Sequence, residues 1–249
     1  MKYAVGNVSI APVRLEAADT SEMVTQLLYG ELCKVVEFRK KWSKIRLTFD
    51  GYEGWIDNKQ LHALTKEDYQ QYKSQPYKLS SDLVDFVTTE DDQLISVCLG
   101  SSLHTQPLLN HTFEGKTVSS KLPKPQLIEI AMLYLNAPYL WGGRTPFGID
   151  CSGFTQMVYK LGGYKLLRDA SQQATQGEAL SFIEESEPGD LAFFDNSEGA
   201  ITHVGIIMSD HYIIHAHGKV RIDRLDHTGI FNAEARTHTH KLRVIKRII

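Results

Sequence analysis

Three short runs carry the residue types that could do nucleophilic chemistry: Asp150-Cys151-Ser152-Gly153-Phe154, Thr202-His203-Val204-Gly205 and Ile214-His215-Ala216. A thiol at the start of an amphipathic helix is activated by the helix N-terminus and by a nearby histidine, because both favour the thiolate. Cys151 is the one cysteine with both in prospect, so we expect its pKa to be depressed from about 8.5 to roughly 3.5–7.5. Cys33 opens one apolar strand and Cys98 lies in another, and both read as small buried hydrophobes. Spacing alone leaves the same bland reading open for Cys151, as a buried helix cysteine.

The two histidines flank Ser209-Asp210 in what reads as a β-hairpin, His203 to Met208 and Tyr212 to His215. With an odd loop centred on Ser209, His203 and His215 are cross-strand partners on one face and could act as base and orienter. A two-residue loop at Ser209-Asp210 would instead pair His203 with Ala216 and turn His215 to the other face. His217, two residues beyond His215, shares its face and could compete for the orienting role.

The elements that must position these groups change texture along the chain. Residues 1–62 carry short β-like runs, Val8–Ile10, Gln26–Tyr29, Cys33–Phe38 and Lys44–Leu47, then an Asp50-Gly51 turn and the strand Tyr52-Glu53-Gly54-Trp55-Ile56. Residues 63–122 begin with a polar helix-like stretch, Thr65 to Tyr72, and return to strands around Leu83–Val87 and Leu94–Leu99, which suggests a second small β-barrel. Pro123 and Pro125 mark a boundary. From Gln126 the apolar period is helical through Leu135, and Asn136-Ala137-Pro138 stops it. Phe154, Val158 and Leu161 recur behind Cys151 as a second helix that Gly162-Gly163 ends. Strand signals follow at Leu191–Phe194, His203–Met208, His211–His215, Val220–Ile222 and Leu242–Ile245. Helix first and antiparallel sheet afterwards is an α+β order.

Bulk properties exclude several function classes. The 249 residues are 42% hydrophobic and carry a net charge of −3, which favours neither nucleic acid nor an anionic membrane. No stretch is long enough to span a bilayer and Met1–Val8 holds no signal-like apolar region, so we expect a cytoplasmic protein without a membrane partner. Three scattered cysteines argue against a disulfide framework. No C-x-x-C or H-E-x-x-H spacing occurs, and a zinc site would need scattered histidines such as His104, His111, His238 and His240. No metal or cofactor is expected.

The run Ala137-Pro138-Tyr139-Leu140-Trp141-Gly142-Gly143, followed by Asp150–Phe154, Glu187-Pro188-Gly189-Asp190-Leu191, His203-Val204-Gly205-Ile206 and Ile214-His215-Ala216, resembles the NlpC family of bacterial cell-wall peptidases. The likeness spans about residues 126–225, and the Gly54-Trp55-Ile56 strand resembles the ending of a bacterial SH3-like domain. The resemblance implies a papain-like peptidase at 123–249 preceded by two SH3-like barrels at 1–62 and 63–122, the arrangement of the dipeptidyl-peptidase VI subgroup.

That subgroup hydrolyses the amide between γ-D-glutamate and meso-diaminopimelate, or lysine, in murein stem peptides with a free N-terminal L-alanine. The resemblance implies that Cys151 is the nucleophile, His203 the base and His215 its orienter. The Cys151 N–H, with the Tyr139 hydroxyl, would bind the oxyanion. Trp141, Asp150 and Ser152 would line the cleft, with packing aromatic and helix cap as the plain alternatives for Trp141 and Ser152. Asp169 matches the family position that holds the substrate ammonium, and Glu22 and Tyr52 of the first β module are candidates for closing its other side, with a solvated carboxylate and a strand-packing aromatic as the plain alternatives. Ala170 departs from relatives that carry serine there. The expectation is a monomeric recycling enzyme whose partner is the murein peptide. A non-catalytic wall-binding module is the competing reading, and an acyltransferase or lipid amidase on the same fold is weaker.

Overall fold

The computed structural model describes residues 1–249, and the chain divides into two compact units. The first comprises Met1–Ser120 together with Trp141–Pro146, and the second Lys121–Leu140 and Phe147–Ile249. The second unit starts two residues before the Pro123 break. No helix is long and apolar enough to cross a membrane.

In the first unit β1 (Tyr3–Gly6), β2 (Ile10–Arg14), β3 (Met23–Leu28), β4 (Leu32–Phe38), β5 (Trp42–Leu47), β6 (Glu53–Asp57) and β7 (Leu61–Leu64) form one antiparallel sheet in the order β3-β2-β6-β5-β4-β1-β7. Alternate residues face inward, so Ala4, Val13, Leu27, Cys33, Ile45 and Ile56 make a common buried core. β1 and β7 lack a strong alternating signal in sequence, yet they pair with each other and β1 also pairs with β4.

Residues 63–122 carry α1 (Lys66–Lys73), β8 (Leu79–Ser80), β9 (Val84–Thr88), β10 (Leu94–Cys98), a 3₁₀ helix at Leu103–Leu109 and β11 (Thr117–Val118). α1 starts where expected, with the Thr65 hydroxyl accepting from the Asp68 N–H. The expected second barrel is instead two separate two-stranded sheets, β9 with β10 and β8 with β11. The physical reason lies in the packing: Val87, Val97 and Leu103 cluster on Tyr29, and Tyr69 packs on Val5 and Leu32. Ile95, Leu109 and Phe113 join the first of these clusters, and through Tyr29, Val5 and Leu32 the segment packs on residues 1–62, so it belongs to the same unit.

One buried ion pair ties the excursion 141–146 into this unit. The Arg144 guanidinium, 0% exposed, donates to both Glu31 oxygens at 2.8 and 2.9 Å and to the Gln26 carbonyl at 2.7 Å. The Arg144 N–H donates to Gln26 Oε1, and Glu31 also accepts from the Leu28 N–H. Gly142 lies at φ +76, and a Cβ there would meet the Met23 carbonyl oxygen at 2.4 Å.

In the second unit α2 (Gln126–Leu133) precedes the buried α3 (Cys151–Leu161), with short strands β12 (Arg144–Thr145, in the first unit) and β13 (Gly148–Ile149) before α3. All of α3 is buried, and it ends at Gly162 and the left-handed Gly163 as expected. α4 (Ala170–Gln173) follows, then β14 (Glu178–Leu180), β15 (Leu191–Asp195), β16 (Ile201–Ile207), β17 (Tyr212–His217), β18 (Lys219–Leu225), β19 (Gly229–Asn232) and β20 (Thr237–Arg247). The sheet order is β14-β20-β15-β16-β17-β18-β19, and a further β19–β20 pairing closes it. β20 is long enough to pair with β15 through its second half and with β19 through its first. Its start at Thr237, five residues earlier than the sequence suggests, brings His240 into the sheet.

Removing one partner from a buried ion pair leaves an uncompensated charge, which costs about 3–5 kcal/mol. Glu31→Gln is therefore expected to lower unfolding free energy by about that amount, and Glu31→Met with Arg144→Met to lower it far less. Urea unfolding of the three proteins checks this, and equal losses in the single and double variants would sink it.

Candidate active site

The Asp150 side chain starts α3: its backbone is extended and its Oδ1 accepts from the Gly153 N–H at 2.6 Å. The helix therefore begins at Cys151, whose own N–H is one of the first-turn donors without an intrahelical partner. Arg168 Nη1 and Nη2 grip Asp150 at 3.0 and 2.6 Å, and Nη1 also reaches Ser152 Oγ at 3.0 Å. Asp150 and Ser152 are both 6% exposed. Their polar atoms are bonded to one another, to Arg168 and to the Gly153 N–H and so fix the start of α3, because a buried carboxylate needs its partners close.

The Cys151 thiol points to the Thr202 carbonyl, at 3.9 Å, next to His203. Burial, and then the Asp150 charge, push the thiol up to about 12, against backbone hydrogen bonds and Arg168, which act the other way. The expected depression is therefore overturned in the resting protein. Desolvation of a thiolate outweighs the backbone hydrogen bonds to it here.

The hairpin loop is odd but centred on Asp210. Gly205 pairs with His215 and Ile207 with Ile213, so extending the register puts His203 opposite His217. The loop residues Asp210 and His211 both take positive φ, 57° and 60°, which adds the shift that an all-extended reading misses. His203 and His215 share a face but are diagonal rather than direct partners. They still meet, with His203 Nε2 and His215 Nδ1 2.8 Å apart and the rings crossed at 84°. Gly205 makes this possible, since a Cβ there would lie 2.9 Å from the His215 Cβ.

Two further residues complete the chain of contacts. His215 Nε2 lies 3.0 Å from Asp223 Oδ2, and Arg221 Nε and Nη2 donate to the same carboxylate at 2.6 and 2.9 Å. His215 faces Arg221 directly across β17–β18, and Asp223 is again the diagonal neighbour. Burial alone would raise Asp223, but hydrogen bonds from His215 and Arg221 outweigh it and hold the carboxyl at about 2. Sequence reading missed both residues, although their alternation on the strand after His215 was the available signal.

The proton positions follow. Burial lowers His215, against the pull of Asp223, and lowers His203 well below the ordinary histidine value, with His215, His240 and His217 adding to it. Both rings rest neutral. The Asp223 carboxylate can only accept, so His215 carries its proton on Nε2 and presents an Nδ1 lone pair. His203 must then donate from Nε2, leaving the lone pair on Nδ1.

Tyr139 is part of the same unit; burial, and then the Cys151 and Asp150 charges, push its phenol up to about 12, so it stays a donor. Asp169 caps α4, its N–H donating to Gln172 Oε1 at 3.1 Å. In the first unit Glu22 Oε1 accepts from Trp141 Nε1 at 2.6 Å, and the Tyr52 N–H donates to Asp50 Oδ1 at 2.9 Å. Of the scattered histidines, His104 packs edge-on to Tyr77, His111 bonds the Tyr29 hydroxyl and His238 bonds Asp226. Only His240 joins a histidine cluster, stacked on His203 with ring centroids 4.1 Å apart.

Residues 136–238 match the model of the NlpC/P60 family, and residues 13–61 match the bacterial dipeptidyl-peptidase Sh3 domain. The gamma-D-glutamyl-L-lysine dipeptidyl-peptidase of Bacillus subtilis is 30% identical over 230 residues, covering 82% of this chain and 75% of that one. The chain belongs to the NlpC/P60 peptidase family. Dipeptidyl-peptidase 6 of Lysinibacillus sphaericus is 27% identical, over 83% of this chain and 85% of its own length. Among solved structures, an NlpC/P60 family protein from Bacillus cereus superposes with a TM-score of 0.79 at 21% identity, covering 99% of each chain, which shows a shared fold.

Two outcomes follow from this geometry. Alkylation of Cys151 by iodoacetamide is expected to accelerate with rising pH through about 9 and beyond, because the thiolate fraction is still growing there. A rate already level at neutral pH would mean a resting thiolate and overturn the neutral-thiol assignment. Asp223→Asn is expected to lower kcat by about ten- to a hundredfold, the usual cost of losing a partner that orients a working imidazole. KM and the unfolding midpoint serve as controls, and an unchanged kcat removes Asp223 from the chain.

Proposed function

We propose that the protein is a cysteine peptidase that hydrolyses the amide between γ-D-glutamate and meso-diaminopimelate or lysine in murein stem peptides bearing a free N-terminal L-alanine. The single observation that carries this reading is the ordered chain Asp223–His215–His203, which leaves an unprotonated His203 Nδ1 as a base in the unit that holds Cys151 at a helix start. The names of the Bacillus and Lysinibacillus relatives support the choice of bond.

In this reading His203 Nδ1 takes the thiol proton as Cys151 Sγ attacks the γ-carbonyl carbon. The imidazolium charge is spread toward Asp223 through His215. The carbonyl oxygen becomes an oxyanion that the Cys151 N–H and the Tyr139 phenol stabilise. His203 then returns its proton to the leaving amine, the C–N bond breaks, and a thioester remains. Water then gives a proton to the same nitrogen as its oxygen attacks the thioester carbonyl, the C–S bond breaks to release the γ-carboxylic acid, and His203 returns the proton to sulfur to restore the thiol. Asp169 is the proposed carboxylate for the substrate ammonium in the peptidase unit. Glu22 shares its carboxylate with Trp141, so any role for it involves the indole as well. We place the activity in cytoplasmic recycling of wall peptides, where small fragments with free amines are the substrates.

The test is mass-spectrometric assay of L-Ala-γ-D-Glu-diaminopimelate, its lysine counterpart and their N-acetylated forms, with the native protein and Cys151→Ala. Release of L-Ala-γ-D-Glu from the free-amine peptides alone, abolished by Cys151→Ala, is expected. Cleavage of acetylated peptides at the same rate would remove the amine requirement, and no cleavage at all would remove the peptidase assignment for this substrate class.

A further inference from the structure

His240 was not needed for the proton chain, yet it stands with His203 and His215 so that one ring nitrogen of each lies within 4.8 Å of the others. Its Nδ1 is 2.9 Å from the Thr239 hydroxyl, which leaves Nε2 as its ligand atom. On His215 the ligand atom is Nδ1, because Nε2 is occupied by Asp223. Two of the three rings thus already have their second nitrogen tied to an oxygen, the arrangement that orients imidazoles around a metal. His217, whose ring centroid is 4.8 Å from that of His240, stands beside a fourth position.

We propose that His203, His215 and His240 form a binding site for a divalent transition-metal ion of the zinc class, and that occupation of this site switches the peptidase off. An imidazole set without carboxylate or carbonyl ligands favours such ions over magnesium or calcium. Three nitrogens at about 2.0–2.1 Å from a tetrahedral ion lie about 3.3–3.4 Å apart. Reaching that geometry from the present arrangement means opening the His203–His215 hydrogen bond of 2.8 Å by roughly half an ångström and drawing His240 inward. His240 is only partly buried and lies at the bulged junction of β19 with β20, so its ring has room to turn.

Inhibition follows from proton bookkeeping and rests on the proposed role of His203 as base. At rest His203 carries its proton on Nε2 and its lone pair on Nδ1. A metal ion bound at Nε2 needs the lone pair there, so the neutral ring must carry its proton on Nδ1. The atom that would accept the thiol proton is then already protonated. No charge change of the ring is required, and removal of the metal restores the working tautomer.

Calorimetric titration of Cys151→Ala with zinc chloride separates this site from ordinary thiolate binding of zinc. One ion per chain is expected, with affinity reduced by about ten- to a hundredfold when His240→Phe is added, since phenylalanine keeps a flat ring over His203 and removes the ligand. His240→Gln is the second variant should the first fold poorly. No binding, binding unaffected by both His240 variants, or binding that requires Cys151 would overturn the site. In parallel, peptide cleavage by the native protein is expected to fall as zinc is added, at the concentration that calorimetry gives, and to return with chelator. The His240 variants, each referred to its own metal-free rate, should need about tenfold more zinc. Binding without inhibition would overturn the tautomer lock. A native protein inactive on the peptide would fail as a peptidase while calorimetry still decides the metal site.

Discussion

Two imidazoles buried against each other and against one carboxylate can hold their protons in only one neutral order, and the catalytic half of the molecule is arranged around that restriction. Asp223 fixes the order from one end because it can accept and never donate. Arg221 keeps it in that state, with two hydrogen bonds to the same carboxylate. The β16–β17–β18 meander supplies the spacing: each contact in the chain is a diagonal step between neighbouring strands, so all three residues share one face while none is opposite the next. The absent side chain of Gly205 is as necessary as the side chains present, because the space it leaves is where His215 leans toward His203.

The same burial decides the state of the thiol. A thiolate and an imidazolium held together at rest would be two charges taken out of water, and their attraction has to exceed that cost. Here the Asp150 carboxylate works against a thiolate more strongly than Arg168 favours one, and the neighbouring histidines oppose a proton on His203. Both groups therefore rest neutral, and charge need appear only as the substrate carbonyl is attacked. In the proposed reaction the helix N-terminus acts on the developing oxyanion rather than on the sulfur at rest.

Much of this was legible from residue types. Cys151 at a helix start, the end of that helix at Gly162-Gly163, the hairpin bearing His203 and His215, and their shared face all follow from local periodicity, which depends on neighbours a few residues apart. The register did not follow, because it turns on two left-handed residues, Asp210 and His211, whose types tolerate positive φ more than most but do not demand it as a glycine turn would. Asp223 was hidden because a carboxylate on an alternating strand usually faces water, and only the β17–β18 pairing reveals which face it shares. His240 arrives through a pairing of β20 that starts well before its apolar run. The segment 63–122 misled for a different reason: its strands are real, but their cluster is completed by Tyr29 from the turn after β3, α1 packs its Tyr69 on Val5 and Leu32 of the first sheet, and no local pattern reports such distant partners.

Each unit also contains one buried arginine bound through both ends to a carboxylate, Arg144 with Glu31 in the first and Arg168 with Asp150 in the second. Such pairs are weak sources of stability, since apolar replacements of similar size often do as well. What an apolar pair cannot supply is direction. The Asp150 oxygens accept from Arg168, from the Gly153 N–H and from the Ser152 hydroxyl, so the carboxylate can occupy only one place relative to the first turn of α3. Gln173 extends the restraint, accepting from Thr155 and donating to the Ser152 carbonyl, both within the same helix. The first turn of α3 is thus positioned by directional bonds on the side away from its apolar residues. A helix packed by Phe154 and Val158 alone could slide or rotate slightly at little cost, and the proposed transfer of the Cys151 proton to one particular nitrogen does not tolerate that freedom.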